Sequence, residues 1–166
     1  MYRVNDCVVY GMTGLCRIVD IRNERFGGTE EQAYYVLKPL YNPGSTTYVS
    51  TADDELVGQM RPVISRDGID DLLAFAKKDS GVWIEADRDR SEAYGAQITS
   101  GDRYQLISLL KSLHVELEKR KQMGRKLNQS DAKTMGIAER ILHEELAFVL
   151  GISVEEVVPF ILARVS

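Results

Sequence analysis

The amino-acid sequence predicts an α+β protein of two domains, a small antiparallel β-barrel followed by an all-α bundle of about four to five helices. Two observations predict this fold class. In the first 64 residues, short apolar and β-branched runs are separated by glycine and proline turns, whereas from Ser65 onward the apolar residues recur with a helical period. A chain of 166 residues holds one compact domain or two small ones. The change of period favours two, with bounds 1–64 and 65–166.

Short strands are predicted at residues 7–10, 15–22, 33–40 and 45–50, because these runs are rich in Val, Ile, Tyr and Thr. The turn sequences GMTG, FGGTEE and YNPG separate them. In the third turn, Pro43 presets φ and Gly44 tolerates positive φ, so the chain reverses at low cost. Residues 62–64 predict a fifth short strand. Five short antiparallel strands cannot fill two packed sheets, so we expect one small, strongly twisted barrel.

The second of these strands does not alternate cleanly between apolar and polar residues. Leu15, Val19 and Ile21 would share one face with Arg17, which is not the pattern of a regular half-buried strand. A strand that bends or bulges midway explains the change of phase. We therefore predict a bulge within residues 15–22.

The chain contains two cysteines, Cys7 and Cys16. A four-residue turn at 11–14 would place Cys16 opposite Val9, with Cys7 diagonally beside it on the same face. Two interpretations stay open: small apolar side chains that the cytosol keeps reduced, or neighbours that crosslink under oxidation. A two-cysteine zinc site would need further ligands, and none is close in sequence.

The first two helices are predicted from capping residues and apolar spacing. Ser65 is a suitable N-cap, and Lys77 and Lys78 suit the negative end of the helix dipole. A second helix is predicted over 84–98, although Gly95 weakens it. The apolar stripe of the first helix consists of Ile69, Leu72, Leu73 and Ala76.

Three more helices are predicted after residue 100. Asp102 caps the first of them, Ser130 starts the next, and Gly151 ends it. Ser153 and Glu156 have the spacing of a capping box for the last helix. The residues expected to face the core are Leu106, Leu109, Leu110, Leu113 and Leu117, then Met135, Ala138, Ile141, Leu142, Leu146 and Leu150, and finally Val157, Phe160 and Ile161.

Charge is unevenly distributed in a chain of net charge −4. Residues 100–140 hold 9 Lys+Arg against 5 Asp+Glu, so one helical segment is basic inside an acidic protein. This indicates either a local contact with an anionic partner or a solvated helix face. No apolar run approaches the roughly 20 residues that span a bilayer, and the start MYRVND is not a signal peptide, so we expect a cytoplasmic protein.

Residues for catalysis are scarce. His114 and His143 each stand alone on a predicted helix, and the sequence His143-Glu144-Glu145 lacks the second histidine of a zinc-protease helix. The GMTG turn lacks the lysine of a phosphate-binding loop. We therefore expect no enzymatic activity, cofactor or metal. A metal-dependent hydrolase that uses the two histidines is the most distant alternative.

Several features in order resemble the CarD/CdnL family of bacterial transcription regulators. They are VVY at 8–10 followed by Gly14, YYVLK at 34–38, RPV at 61–63, and SGD at 100–102 ahead of a leucine-rich helix. The likeness covers essentially the whole chain. It implies a Tudor/SH3-like barrel, shared with transcription-repair coupling factor, that binds the β subunit of RNA polymerase. It also implies a helical domain that touches promoter DNA at the upstream edge of the melted bubble and stabilises the open complex.

The resemblance places the polymerase contact around Glu24 and Arg25 and along the strand through Thr47, Tyr48 and Val49. Better-known members carry arginines in both places, whereas here Tyr48 occupies one, and Glu24 or Arg25 the other. A barrel with an exposed strand can add its edge to a sheet of the partner. A tyrosine can anchor such an interface through its apolar area and its hydroxyl.

The resemblance also suggests two kinds of DNA contact. Trp83 lies about one helical turn before the tryptophan that in the family wedges into the minor groove, so a wedge and packing between the domains both stay open. Basic residues would hold phosphates without reading sequence. The candidates are Lys111, Lys119, Arg120, Lys121, Arg125 and Lys126. The alternative function is an adaptor between two proteins that makes no DNA contact.

Overall fold

The computed structural model describes residues 1–28 and 30–165, so Thr29 of the predicted FGGTEE turn lies outside the described residues. The chain divides into two compact units, Met1–Val63 and a second unit that begins at Ile64. The first is built from strands and the second from helices. The predicted α+β fold class is therefore confirmed.

The first unit contains one five-stranded antiparallel sheet. Its strands are β1 (Cys7–Tyr10), β2 (Gly14–Glu24), β3 (Gln32–Pro39), β4 (Thr47–Ser50) and β5 (Met60–Pro62). They lie in the order β4-β3-β2-β1-β5, so β4 and β5 are the edge strands. The short helix α1 (Asp54–Gly58) joins these two strands and contacts both. The fifth strand thus begins two residues earlier than predicted, and an additional helix precedes it.

The turn between β1 and β2 is one residue shorter than predicted. Gly11–Thr13 form a 3₁₀ turn, and Gly14, at φ 84°, already pairs with Tyr10. Cys16 therefore lies opposite Val8 and Cys7 opposite Arg17. Because adjacent residues of a strand point to opposite faces, the two thiols lie on opposite faces of the sheet. The prediction that they are neighbours on one face is wrong.

The bulge predicted in β2 is confirmed. Ile18 lies opposite Leu37, but Asp20 lies opposite Val36, which leaves Val19 as the extra residue. After the bulge, Ile21 faces the inner side and Asp20 and Arg22 the outer side. The inner face carries the core of this unit, which consists of Val8, Cys16, Ile18, Tyr35, Leu37, Val49 and Met60.

The described residues of the second unit, 64–165, form five helices. These are α2 (Arg66–Lys78), α3 (Asp87–Ser100), α4 (Arg103–Gln122), α5 (Gln129–Leu150) and α6 (Val157–Val165), and a 3₁₀ turn at Val154–Glu156 precedes α6. All four residues of the predicted α2 stripe are buried, and so are most of the apolar residues predicted to face inward from α4 and α5. No single helix among the described residues is long and apolar enough to cross a membrane, and only α5 and α6 taken together, across a bend of 99°, meet that length and composition.

Most of the predicted caps are confirmed. The Ser65 hydroxyl accepts the Gly68 N–H, and Asp102 accepts the Tyr104 N–H. Gly151 ends α5 at φ 67°, a conformation that glycine adopts without strain. Ser153 and Glu156 form the predicted capping box.

Two predicted helix starts are wrong. α3 begins at Asp87 instead of residue 84, because the Arg90 side chain donates to the carbonyls of Ile84 and Glu85 and holds that segment outside the helix. α5 begins at Gln129 instead of Ser130. The Asn128 side chain accepts the Asp131 N–H at 2.8 Å and serves as the cap, a role in which Asn is as favourable as Ser.

Candidate functional site

Three aromatic rings form a partly exposed cluster on the outer face of the β2–β3–β4 sheet. Tyr34 of β3 and Tyr48 of β4 have ring centroids 6.3 Å apart, and Phe26, just after β2, lies 5.1 Å from each. All three pairs meet edge to face, the arrangement that aromatic quadrupoles favour. We call Phe26, Tyr34 and Tyr48 the aromatic patch. Its rings hold one another in place, so the patch is ordered before any partner arrives.

Arg22 adds a positive charge to the aromatic patch. Its Nη2 donates to the Tyr48 hydroxyl at 2.9 Å, and its guanidinium carbon lies 5.7 Å from the centroid of the Tyr48 ring. Nε of Arg22 also pairs with Glu24 at 2.8 Å. The guanidinium beside Tyr48 thus comes from β2, which is separated from β4 by β3.

β4 presents backbone groups at the edge of the sheet. The Thr51 N–H donates to the Ala33 carbonyl on β3 at 3.0 Å. Because residues of an antiparallel strand alternate in their hydrogen-bonding direction, Val49 also bonds toward β3, whereas the N–H and C=O of Tyr48 point away from it. Tyr48 therefore offers both its side chain to the aromatic patch and its backbone to an incoming strand.

The five residues predicted to bind a partner lie in different environments. Arg25 is exposed, and Glu24, Thr47 and Tyr48 are half-buried. Val49 is 0% exposed and packs in the core, so the strand through Thr47, Tyr48 and Val49 does not present the Val49 side chain at the surface. The reason is the strand period of two, which turns Val49 inward wherever Tyr48 faces outward.

Sequence reasoning missed three members of this surface, namely Arg22, Phe26 and Tyr34. The bulge was the sequence feature that could have identified them. Once Val19 is counted as the extra residue, the alternation of β2 places Arg22 on the outer face, opposite Tyr34 of β3.

In the helical unit, Trp83 is fixed by a buried arginine. The Arg90 guanidinium carbon lies 4.2 Å from the centroid of the Trp83 ring, and Arg90 donates to the Ile84 carbonyl at 2.8 Å. Arg90 is 1% exposed and is held in turn by Asp131. Hydrogen bonds to Asp131, which outweigh the opposing effect of burial, raise the pKa of Arg90, so its charge is permanent. The half-buried Trp83 is therefore stacked on a fixed cation.

A compact basic turn ends α4. The Gly124 N–H donates to the Lys121 carbonyl and the Arg125 N–H to the Arg120 carbonyl, at 3.0 and 2.7 Å, with Gly124 at φ 69°. This is the hydrogen-bond pattern of a Schellman helix end, and it folds the chain back on the helix. Arg120 reinforces the turn by donating to the Lys126 carbonyl and pairing with Glu116 at 3.0 Å. We define the basic turn as Lys119, Arg120, Lys121, Arg125 and Lys126, of which all but Arg120 are exposed.

Lys111, the sixth predicted phosphate ligand, does not belong to the basic turn. Its ammonium group donates to the carbonyls of Ala76 and Asp79, where it satisfies the C-terminal end of α2. We therefore correct its predicted role from a phosphate contact to a helix cap.

Metal ligands do not converge in the described part of the chain. No group of three His, Cys, Asp or Glu side chains there is arranged to hold a metal ion. His114 has its Nε2 3.3 Å from Glu139 Oε1, and His143 is largely buried, where burial lowers its pKa.

An antiparallel sheet with an edge strand beside an ordered aromatic patch has the features of a protein-interaction domain. Residues 2–64 match the family model of the CarD-like/TRCF RID domain. The amino-terminal unit therefore belongs to this family of RNA polymerase-interacting, non-enzymatic domains. A comparison with curated proteins found no match.

Proposed function

We propose that this chain is a bacterial transcription regulator that binds the β subunit of RNA polymerase and stabilises the open promoter complex through nonspecific DNA contacts. The observation that carries the proposal is the aromatic patch beside the edge of β4, in a domain of an RNA polymerase-interacting family. Such a protein acts by binding alone. It works in the cytoplasm and associates with the nucleoid through RNA polymerase.

In the proposed docking, a strand of the β subunit pairs with β4 and lies against the aromatic patch. The outward N–H and C=O of Tyr48 supply main-chain hydrogen bonds, and the patch supplies apolar area that is already ordered. Arg22 pairs with Glu24 at 2.8 Å and with Asp20 at 3.5 Å, so it would have to exchange one of these partners to donate to a carboxylate of the β subunit. Glu24, Arg25 and Thr47 would lie at the rim of the same interface.

The basic turn is the proposed contact with promoter DNA beside the upstream edge of the bubble. Lys119, Lys121, Arg125 and Lys126 are exposed and present charge without a fixed geometry toward base edges, so they suit phosphates and give no sequence preference. A few such charges bind DNA weakly on their own. Once polymerase holds the protein, the high effective concentration makes even a weak contact productive.

Trp83 is the proposed second DNA contact, as a wedge at the edge of the bubble. The stack on Arg90 covers one face of its ring, and Asp87 lies nearby as an ion-pair partner of Arg90 at 2.7 Å. This acidic neighbour favours the alternative, an adaptor that joins two proteins without touching DNA.

The proposal is tested by measuring the lifetime of open complexes formed by purified polymerase on promoter DNA. The variant Lys119→Glu/Lys121→Glu/Arg125→Glu changes exposed charges of the basic turn and leaves Arg120, which holds the turn together, in place. We expect it to shorten the lifetime several-fold while still binding polymerase. The matched control Lys77→Glu/Lys78→Glu/Lys133→Glu changes three exposed lysines elsewhere and should behave as the parent. Equal lifetimes for all three proteins would favour the adaptor.

A further inference from the structure

The helical unit contains a cavity of about 260 Å³ between α2, α4, α5 and α6. Its apolar walls are Ala76, Ile107, Leu110, Leu142, Val158, Ile161, Leu162 and Val165. The deeper residues, such as Leu142, are buried, whereas Val158 and Leu162 of α6 are exposed and form the mouth. Protein interiors leave few voids larger than a water molecule, and an apolar cavity of about 150 Å³ already holds benzene. The space is therefore large enough for a small apolar ligand.

The polar side chains at this cavity are all hydrogen-bond donors, and one of them is a cation. They are Lys111, His114 and His143, and no carboxylate lines the cavity among the described residues. Lys111 donates to two carbonyls of α2, so one of its three N–H groups is left for another acceptor. Glu139 pairs with His114 from outside the lining. The polar wall thus favours an anion.

His143 is the most informative of these side chains. It is only 8% exposed, and it lines the cavity. A neutral imidazole carries one N–H donor and one acceptor nitrogen, so it can bond a polar group in the cavity. A ligand with an acceptor at this position would satisfy the imidazole N–H.

We propose that this cavity binds a small apolar carboxylate, such as a medium-chain fatty acid, with its tail between α5 and α6 and its carboxylate toward His143 and Lys111. The apolar walls supply the affinity for the tail, at roughly 0.8 kcal/mol for each buried CH₂ group. The imidazole and the ammonium group supply the selectivity for an acid over an amine. This site is independent of the polymerase and DNA contacts proposed above.

The test uses the full chain and two probes of equal length and opposite charge, octanoate and octylamine, in isothermal titration calorimetry. We expect saturable binding of one octanoate per chain, and binding of octylamine at least tenfold weaker. Octanoate should also raise the melting temperature, because a ligand that binds only the folded state stabilises it. The absence of saturable octanoate binding, or equal affinity for the two probes, would overturn the proposal.

Two variants locate the bound molecule. Leu162→Trp fills the mouth of the cavity and should weaken octanoate binding at least tenfold. Its matched control is Val115→Trp, at a site on α4 that is 58% exposed and outside the lining. His143→Phe keeps the ring but removes its N–H, so it should weaken octanoate at least fivefold and leave 1-octanol unchanged. Octanoate binding that neither Leu162→Trp nor His143→Phe weakens would place the ligand elsewhere and overturn the assignment.

Discussion

Arg90 and Asp131 form a two-point ion pair inside the helical unit, with Nε–Oδ1 at 3.0 Å and Nη2–Oδ2 at 2.7 Å. The pair joins α3 to the first turn of α5, where a carboxylate also suits the helix dipole. Both side chains are almost fully buried. The same guanidinium stacks on Trp83 and donates to the Ile84 carbonyl, so one arginine fixes two helices and the segment before α3.

Replacing Arg90 by Ala is expected to lower the free energy of unfolding by about 3–5 kcal/mol, because it leaves the Asp131 carboxylate buried without its partner. Urea titration measures this change. Trp83 is the single tryptophan, so its fluorescence should shift to the red as one face of the ring becomes uncovered. The matched control is Arg88→Ala. Arg88 is 90% exposed and pairs with Glu92 at the surface, and its loss should cost less than about 1 kcal/mol. Equal losses for the two variants would contradict the prediction.

Gly81 and Gly95 are expected to respond to alanine in opposite directions. At Gly81, with φ +68°, a Cβ would lie 2.3 Å from the Ser112 hydroxyl oxygen, which accepts the Val82 N–H. The left-handed backbone alone costs a non-glycine residue about 1–2 kcal/mol, so Gly81→Ala should lower the melting temperature. Gly95 lies inside α3, where an added Cβ would meet no atom within 4 Å apart from the local backbone of its own helix, and Gly95→Ala should add about 0.5–1 kcal/mol. Differential scanning calorimetry compares the two, and a rise for Gly81→Ala would count against this account.

Tyr48→Ala is expected to weaken binding to the β subunit at least tenfold, because it removes the ring that Phe26 and Tyr34 contact and the hydroxyl that orients Arg22. Affinity measured by biolayer interferometry with the isolated β lobe tests this. Tyr41→Ala is the control, because Tyr41 is exposed on the same unit but outside the aromatic patch. If both variants bind like the parent, the patch is not the docking surface.

His143 is expected to make stability depend on pH. Burial lowers its pKa in the folded state below the ordinary value of about 6.5. Between these two values the unfolded chain binds more protons, so the free energy of unfolding contributed by this group falls as the pH falls below about 6.5. The groups near it are Lys111, His114 and Glu139.

Urea midpoints at pH 7.5 and 5.5 measure this effect. The loss of stability at the lower pH should be smaller in His143→Phe than in the parent. It should persist in His114→Gln, because His114 is half exposed. An unchanged loss in His143→Phe would assign the pH dependence to other groups.

Local chemistry accounts for what could be predicted from the sequence. The Ser65 and Asp102 caps, the Gly151 helix end and the α2 stripe each depend on residues within one or two turns, and the structure confirms them. The start of α3 could not be predicted in this way. It depends on Arg90, whose position is set by Asp131, 41 residues further along the chain.

The candidate site was only partly predictable for the same reason. Tyr48 and the basic turn follow from residue type and resemblance. Lys111 looks like a surface cation in the sequence, and only the packing of α4 against α2 reveals it as a cap. Predicting the aromatic patch requires the register of β2 against β3. The sequence predicts a bulge within residues 15–22 but does not show which residue is the extra one.

The extra residue at Val19 sets the phase of everything that follows it on β2. A relative without that residue would alternate regularly along the strand, so its residues match Asp20, Arg22 and Glu24 face for face only when the gap in the comparison is placed at Val19. If a sequence alignment placed this gap a few positions away, it would pair residues of the inner face with residues of the outer face. In a family of short domains, the length of this strand is thus as informative for comparison as the identity of its side chains.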